Sequence, residues 1–250
     1  RTLASVAAQT VAPCELVAVD DGSSDGSAAV IERFARAAPF PVTLVRQRNR
    51  GAHVALNRGL VLARGRTVAL LNSDDEYHPK RLERMVATLG DDAGFAFSDA
   101  ELIDDDDRPA RGDHAAKLRE ATARANTRPT VLESLLDRNV AISTGNFVFR
   151  RALADAIGGF AALEICHDWD YILEATRHTR VVRVPEPLYR YRLHGRNTVS
   201  ARALAGLIES ERVLSRFLAR LPSHPRVDAV AAARIRTELE DLGRDGLLPA

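Results

Sequence analysis

Carboxylates recur where short apolar runs stop. Asp20 and Asp21 follow Val17, Ala18 and Val19, Asp74 and Asp75 follow the run at 68–71, and Asp99 follows Phe95, Ala96 and Phe97. Carboxylates gathered at one edge repel each other unless a cation intervenes, and oxygen anions are the ligands that hard divalent metals take. A metal site is the first chemistry these residues suggest. Capping of the next helix competes with it, because Asp and Ser are favoured at helix starts. Repetition at successive strand ends weighs against capping alone. A further acidic group, His167-Asp168-Trp169-Asp170, opens a helical pattern, and His194 follows the run Leu188-Tyr189-Arg190-Tyr191-Arg192. Cys14 and Cys166 stand far apart in no metal-ligand spacing, which suits a reducing compartment better than a disulfide framework.

These residues need elements to position them. The stretch from Asp20 to Ser27 is rich in turn formers and caps, so the chain around it reads as strand, loop and helix. That helix places Ala29, Val30, Phe34 and Ala37 on one face and breaks at Pro39 and Pro41 before a second strand at 42–45. Residues 52–63 read as a helix with Val54, Leu56, Leu60 and Val61 apolar, and 68–71 as a buried strand ending at Asn72-Ser73-Asp74-Asp75. Pro79 opens a helix carrying Leu82, Met85, Val86 and Leu89, and 95–97 supplies a fourth strand ending at Ser98-Asp99. This alternation indicates an α/β fold, an open and mostly parallel twisted sheet flanked by helices. Such sheets bind ligands beyond the carboxyl ends of their strands, where the acids lie.

From Asp104 the composition shifts to an acidic run, and 104–129 reads as a mobile, solvated loop. Beyond it come a helix at 131–136, a strand at 147–150, Gly158-Gly159-Phe160, a helix at 171–176, and two short strands at 181–184 and 188–192 separated by Pro185 and Pro187. The last fifth is helical. Leu204, Leu207, Ile208, Leu214, Phe217, Leu218 and Leu221 share one stripe, with Arg212, Arg216 and Arg220 opposite. Packing on the core is the default for such a stripe, and peripheral association with an anionic membrane surface is the alternative. The division that follows is a domain over 1–200 and a C-terminal helical extension over 201–250.

Composition narrows the classes. With 250 residues, 46% hydrophobic and 28% charged, the chain is neither disordered nor collagen-like. No apolar run approaches the roughly 18 to 20 residues of a membrane span, and no signal peptide opens the chain, so a soluble, cytoplasmic protein is expected, with the inner membrane face as the site of any peripheral contact. Lys+Arg 35 against Asp+Glu 34 leaves +1, which is not the footprint of a nucleic-acid binder. Only Lys80 and Lys117 are lysine, and the arginines that dominate suit phosphate ligands.

Four motifs in order carry a resemblance. Val19-Asp20-Asp21-Gly22-Ser23-Ser24-Asp25-Gly26-Ser27, Leu71-Asn72-Ser73-Asp74-Asp75 with Pro79, His167-Asp168-Trp169-Asp170, and Tyr191-Arg192-Leu193-His194 together resemble the signatures of family 2 glycosyltransferases of GT-A fold. Ser5-Val6 with Gln9-Thr10, Gly51 with Asn57 and Gly59, and Gly158-Gly159-Phe160 look like further landmarks of that family. The resemblance covers the chain to about residue 200. It implies an inverting, metal-dependent transfer of one sugar from a nucleotide diphosphate donor, a UDP-sugar for preference, to a hydroxyl of a glycan, lipid or protein. A diphosphate leaving group needs a cation, Mn2+ or Mg2+, and the resemblance makes Asp74 its carboxylate ligand, with His194 as a second. It makes Asp21 the base-recognition residue, Asp20 its neighbour in that loop, and Asn57, Asn72, Ser73 and Arg192 parts of the nucleotide-sugar site, with Arg196 another phosphate partner. Asp168 matches the catalytic base that takes the acceptor's proton, with helix capping as its bland alternative. Gly158, Gly159, Phe160 and Trp169 would line the acceptor or sugar pocket.

The sequence also departs from the family pattern. Asn72 replaces the first Asp of the Asp-Xaa-Asp triplet and removes one negative charge beside the metal, and His167 replaces the usual Glu before Asp168. The strand that usually precedes the helix at 1–9 is absent, which reads as a truncated fragment or a deletion and predicts poor stability. The Gln-Xaa-Xaa-Arg-Trp signature of processive synthases is also missing, Trp169 being the only tryptophan. Two rival readings remain. A sugar nucleotidyltransferase would want an N-terminal Gly-rich phosphate loop, which this chain lacks. A degenerate, non-catalytic nucleotide-sugar-binding module is suggested by the missing strand and by Asn72.

Overall fold

The computed structural model of the protein describes residues 1–194 and 203–244. Helix α1 (Thr2–Ala7) leads to strand β1 (Leu16–Asp20), helix α2 (Ser27–Ala37), strand β2 (Val42–Arg46) and helix α3 (Ala52–Leu62). β1 and β2 form a two-stranded parallel sheet, Leu16 opposite Val42 through Asp20 opposite Arg46. Gly26 precedes α2 at φ 84°, a left-handed position that the sharp entry from the Asp25 turn requires and that glycine adopts without strain. The apolar faces read for α2 and α3 exist, but little covers them. Ala28 is the one buried residue of α2, α3 buries none, and Val61 is 85% exposed.

The second sheet has five strands: β3 (Thr67–Ala69), β4 (Glu76–Tyr77), β5 (Phe95–Ile103), β6 (Val148–Arg150) and β7 (Val181–Arg192), in the order β3-β6-β5-β7-β4. The helices around it are α4 (Arg81–Thr88), α5 (Asp113–Ala125), α6 (Val131–Asp137), α7 (Arg151–Ile157) and α8 (His167–His178). The α/β architecture of the GT-A type stands, but its strand directions are mixed. β1/β2 and β5/β7 are parallel, whereas β6 runs antiparallel to both β3 and β5, and β4 antiparallel to β7. Alternation of strands and helices says that strands are separated. It does not say from which end a strand enters after the long excursion between β5 and β6.

Two readings of the middle of the chain need correction. The segment 104–129 is not loop throughout, since α5 occupies 113–125 and seats Ala115 and Ala125 in the interior. Its acidic turn is held by distant arginines that neutralise the charge: Arg1 and Arg192 pair with Asp107, and Arg190 donates to the Asp107 carbonyl. Likewise the two short strands around Pro185 and Pro187 are one strand, β7. Proline lacks a ladder N–H, and here Pro187 falls where the β5–β7 register shifts around Asp99.

The core lies between the five-stranded sheet and helices α6 and α8. Phe95, Phe147, Phe149 and Tyr171 are at most 1% exposed and stack on one another. Helices α9 (Ala203–Ala219) and α10 (Ala229–Asp241) follow. The predicted stripe of α9 splits in two. Leu214, Phe217 and Leu218 enter the same core as the sheet, so this extension shares that core, while Leu204, Leu207 and Ile208 are exposed. Arg216 and Arg220 pair with Asp170 and Glu174 of α8. No helix among the described residues is long and apolar enough to cross a membrane.

Candidate active site

The turn between β3 and β4 carries Asn72 to Asp75. Asp74 is half exposed, and its Oδ2 lies 3.1 Å from Nε2 of His194, which follows the end of β7. Asp75 points the other way and is fully buried, accepting from Tyr189 Oη and, at 2.8 Å, from the Arg192 N–H. Burial and the neighbouring Asp74 push its carboxyl up to about 7. One acidic pair is therefore divided between two tasks: Asp74 faces outward with His194, and Asp75 anchors the turn to β7.

Behind the turn sits a residue that sequence reading missed. Arg81, at the start of α4, is fully buried, with its guanidinium 4.6 Å from the Tyr77 ring and 5.4 Å from that of Tyr189. It donates to Ser98 Oγ at 2.7 Å and to the Asn146 carbonyl at 2.8 Å. These contacts fix the Tyr189 ring whose hydroxyl meets Asp75. An arginine just after Pro79 and Lys80 gives no sequence signal of burial, because first-turn arginines are ordinarily solvated.

Asp168 lies on the first turn of α8 and is partly exposed. Its Oδ1 accepts from the Trp169 N–H at 2.7 Å and its Oδ2 from Asn139 Nδ2 at 2.9 Å. Burial pushes this carboxyl up to about 7, against those hydrogen bonds, which pull it down. A base that titrates near neutrality has the strength general base catalysis wants. The Tyr191 hydroxyl, raised by burial, also feels Asp75, Asp74 and Asp168, so both ends of the site bear on one tyrosine. The start of α8 is held from afar: Glu209 of α9 accepts the N–H groups of Glu164, Ile165 and Cys166 at 2.8, 2.8 and 2.9 Å. No sequence motif marked Glu209, because its partners are backbone groups.

Several expected ligand contacts turn out to be internal. Asp20 is buried, its Oδ1 accepts from the Ser23 N–H at 2.8 Å, and the Ser23 hydrogen bonds hold its carboxyl below the usual range. Its carboxylate shapes the loop. Asp21 accepts from Gln47 Nε2, the Arg50 N–H and the Gly51 N–H at 2.8 to 2.9 Å, tying the β1 loop to the β2 loop. Asn57 spends its amide on one peptide, accepting from the Phe160 N–H at 2.7 Å and donating to the Phe160 carbonyl at 2.9 Å. Gly159 has φ +91°, and a Cβ there would sit 2.6 Å from Asn57 Oδ1, so glycine is required for this clamp. Phe160 is core, stacked on Tyr171 with centroids 4.0 Å apart. Trp169 is core too, donating from Nε1 to the Leu135 carbonyl at 2.8 Å. Both rings are buried, as aromatic area this large is wherever the sheet and α8 leave room.

The basic and amide groups of the nucleotide-sugar reading are similarly engaged. Arg192 donates to the Asp74 carbonyl at 2.8 Å and pairs with Glu76 and Asp107 at 2.7 Å each, so its fork braces the turn and the acidic hairpin. Asn72 donates to Ser143 Oγ at 2.6 Å and to Asp75 at 3.2 Å, and accepts from Thr144 Oγ1 at 3.3 Å. Ser73 is exposed at the tip of the turn, its carbonyl accepting from Thr2 Oγ1. Gly158 caps α7 at φ 87°. Asp99 leaves the acidic rim altogether, since Arg183 grips both its oxygens, at 2.6 and 2.8 Å. Arg196 lies outside the described residues.

The chemistry of the donor set fits a borderline cation. An outward carboxylate and an imidazole, Asp74 and His194, already touch, and their O and N atoms suit Mn2+. Among the described residues no third His, Cys, Asp or Glu joins them.

Comparison with known proteins gives a consistent result. The model of a family described as glycosyl transferase family 2 matches residues 1–158. The uncharacterized glycosyltransferase alr2836 of Nostoc sp. is 28% identical over 250 residues, a match covering 91% of this chain and 74% of that protein. Among solved structures, the mannosyltransferase PcManGT from Pyrobaculum calidifontis, in complex with GDP-Man and Mn2+, superposes with a TM-score of 0.65 at 21% identity, covering 98% of this chain and 67% of that one. TarS 1–349 of S. aureus, in complex with UDP, does so with a TM-score of 0.60 at 19% identity, covering 99% and 78%. At such identities the two structures speak for the fold.

Proposed function

The chain belongs to glycosyl transferase family 2, and from that premise we propose that it transfers a single sugar, with inversion, from a nucleotide diphosphate donor to an acceptor hydroxyl. The observation that carries the reading is Asp168, partly exposed at the start of α8 and held near 7 by burial. In an inverting displacement the acceptor oxygen attacks the anomeric carbon from the face opposite the leaving group, and its proton must go to a base as the new bond forms. Asp168 takes that proton in this proposal. Asp74 and His194 would hold a divalent cation, Mn2+ for preference, which when bound neutralises charge developing on the departing diphosphate. Asp75, Tyr189 and Arg192 keep the turn that carries Asp74 in place. The loop clamped by Asp20 and Asp21 lies toward the nucleotide in this reading, and a UDP-sugar is the donor proposed.

A binding module without turnover is the rival, favoured by one observation: Asp21, Asn72 and Arg192 spend their polar atoms inside the protein. Calorimetric titration with UDP and with GDP, each with and without Mn2+, combined with a donor-turnover assay, separates the two. Metal-dependent binding with turnover that is lost in Asp168→Asn supports the transferase. Binding without turnover in the parent protein supports the module, and absence of nucleotide binding sinks both.

A further inference from the structure

One stretch, residues 139–146, touches both halves of the site. At its start the Asn139 amide donates to Asp168 Oδ2 at 2.9 Å, while its own oxygen accepts from the Ala141 N–H at 3.2 Å, which fixes the way the amide faces. Further along, Ser143 and Thr144 hold the Asn72 side chain, at 2.6 and 3.3 Å. Asn146, fully buried, closes the stretch by donating to the Ala141 and Ser98 carbonyls at 3.0 and 2.7 Å. Ile142 between them has φ 71°, a conformation that a β-branched residue holds only where its surroundings impose it. Gly145 lies under the Tyr189 hydroxyl so closely that no Cβ would fit. The stretch is thus pinned at both ends and in the middle.

Among the described residues Asn139 is the side chain that hydrogen-bonds Asp168, the carboxylate's other hydrogen bonds coming from backbone N–H groups of Trp169 and of Asp168 itself. We propose that Asn139 is a positioning residue for sugar transfer, holding the Asp168 carboxylate in the rotation that meets the acceptor hydroxyl and tying it, through the rigid 139–146 stretch, to the turn that bears Asp74. The proposal rests on the assignment of Asp168 as the base. With its oxygens accepting from Asn139 and from backbone N–H groups, the carboxylate keeps lone-pair capacity for the incoming hydroxyl proton. An N–H donated to a carboxylate also favours its ionised form. The groups that bear on the titration of Asp168 are Cys166 at the N-cap of its helix, Glu209 from α9 and Tyr191 from β7. The negative charge of Glu209 opposes ionisation and the Asn139 amide promotes it.

The test uses the full chain with Asn139→Ala and the isosteric Asn139→Asp, either of which suffices if the other fails to fold. Carboxyl 13C titration of aspartate-labelled protein, with Asp168 assigned by Asp168→Asn, reads the hydrogen bond without any substrate. In parallel, the pH profile of donor hydrolysis is followed with UDP-N-acetylglucosamine and with GDP-mannose in Mn2+. Loss of the amide should raise the Asp168 midpoint by about one pH unit. The acid limb of kcat should move by the same amount, turnover at pH 7 should fall about fivefold, and donor KM should stay within about twofold. Asn139→Asp, which adds a like charge, should move both further. An unmoved midpoint overturns the proposal. So does a midpoint that moves while the acid limb stays in place and Asp168→Asn is inactive, because Asn139 would then serve structure alone. Turnover that survives in Asp168→Asn overturns the base assignment itself, and it is recognisable because it does not depend on the Asn139 variants.

Discussion

The two sheets are built from the same alternation of strands and helices and are held in different ways. In β1 the four residues before Asp20 are only half-buried, and α3 beside it buries nothing. In β5, by contrast, Phe95, Ala96, Phe97 and Ser98 are at most 1% exposed. The first layer is ordered largely by hydrogen bonds at its strand ends, Asp20 to Ser23 and Asp21 to the loop at 47–51. The second is ordered by an aromatic core that α6, α8 and α9 complete. The carboxyls raised to about 7, Asp75 and Asp168, belong to the second region. Desolvation strong enough to move a carboxyl by that much needs dense surroundings, and only the five-stranded sheet supplies them.

The contrast can be broken most sharply at Asp168. Asp168→Asn should lower turnover by about 10²- to 10⁴-fold with donor binding retained, measured by steady-state kinetics and calorimetry. Next comes packing. Phe149→Ala, in the core of the second sheet, should cost about 3–5 kcal/mol. Val19→Ala, half-buried in β1, should cost about 1 kcal/mol or less, so urea denaturation of the pair reads the asymmetry directly. Comparable losses would mean that the first layer is packed as tightly as the second. Asn57→Ala should cost about 1–2 kcal/mol, because it frees the Phe160 peptide from both its hydrogen bonds.

The contrast also predicts a pH dependence of stability. Unfolded, an aspartate ionises near 4; in the folded protein Asp168 ionises at about 7. Between those values the folded chain binds more protons than the unfolded one, so Asp168 lowers stability as pH rises from about 4 to about 7 and nothing further is lost above that. Asp168→Asn should accordingly raise Tm at pH 8, by up to about 10 °C because roughly three pH units are worth about 4 kcal/mol, and leave it unchanged at pH 4. A lower Tm at pH 8 would show that the ionised carboxylate is stabilised where it stands.

Some of the site was legible in the chain itself. The Asp-Xaa-Asp-like turn, the acidic start of α8 and the His that ends the Tyr-Arg-Xaa-His motif are local patterns, and the structure brings Asp74 and His194 together from positions 120 residues apart. For other residues the resemblance implies a place in the nucleotide-sugar site, while the structure shows the partners their side chains hold internally. Arg192, Asn57 and Asn72 have the right groups for phosphates and ribose, yet those groups are consumed by Glu76 and Asp107, by the Phe160 peptide, and by Ser143 and Thr144. A side chain's type states what it is able to bond, whereas its partner depends on what folding brings within 3 Å.

The same division holds for the molecule as a whole. The residues alone determined the alternation of strands and helices, the acidic ends of the strands, the family and the chemistry its motifs can perform, because turn formers, caps and apolar periodicity act over a few neighbours. Tertiary structure alone decided strand direction in the second sheet, the burial of Arg81, the pairing of Asp99 with Arg183, and the partners of Asn139 and Glu209. Each of these depends on contacts between residues tens of positions apart, and on how far water is excluded there, which no local pattern encodes.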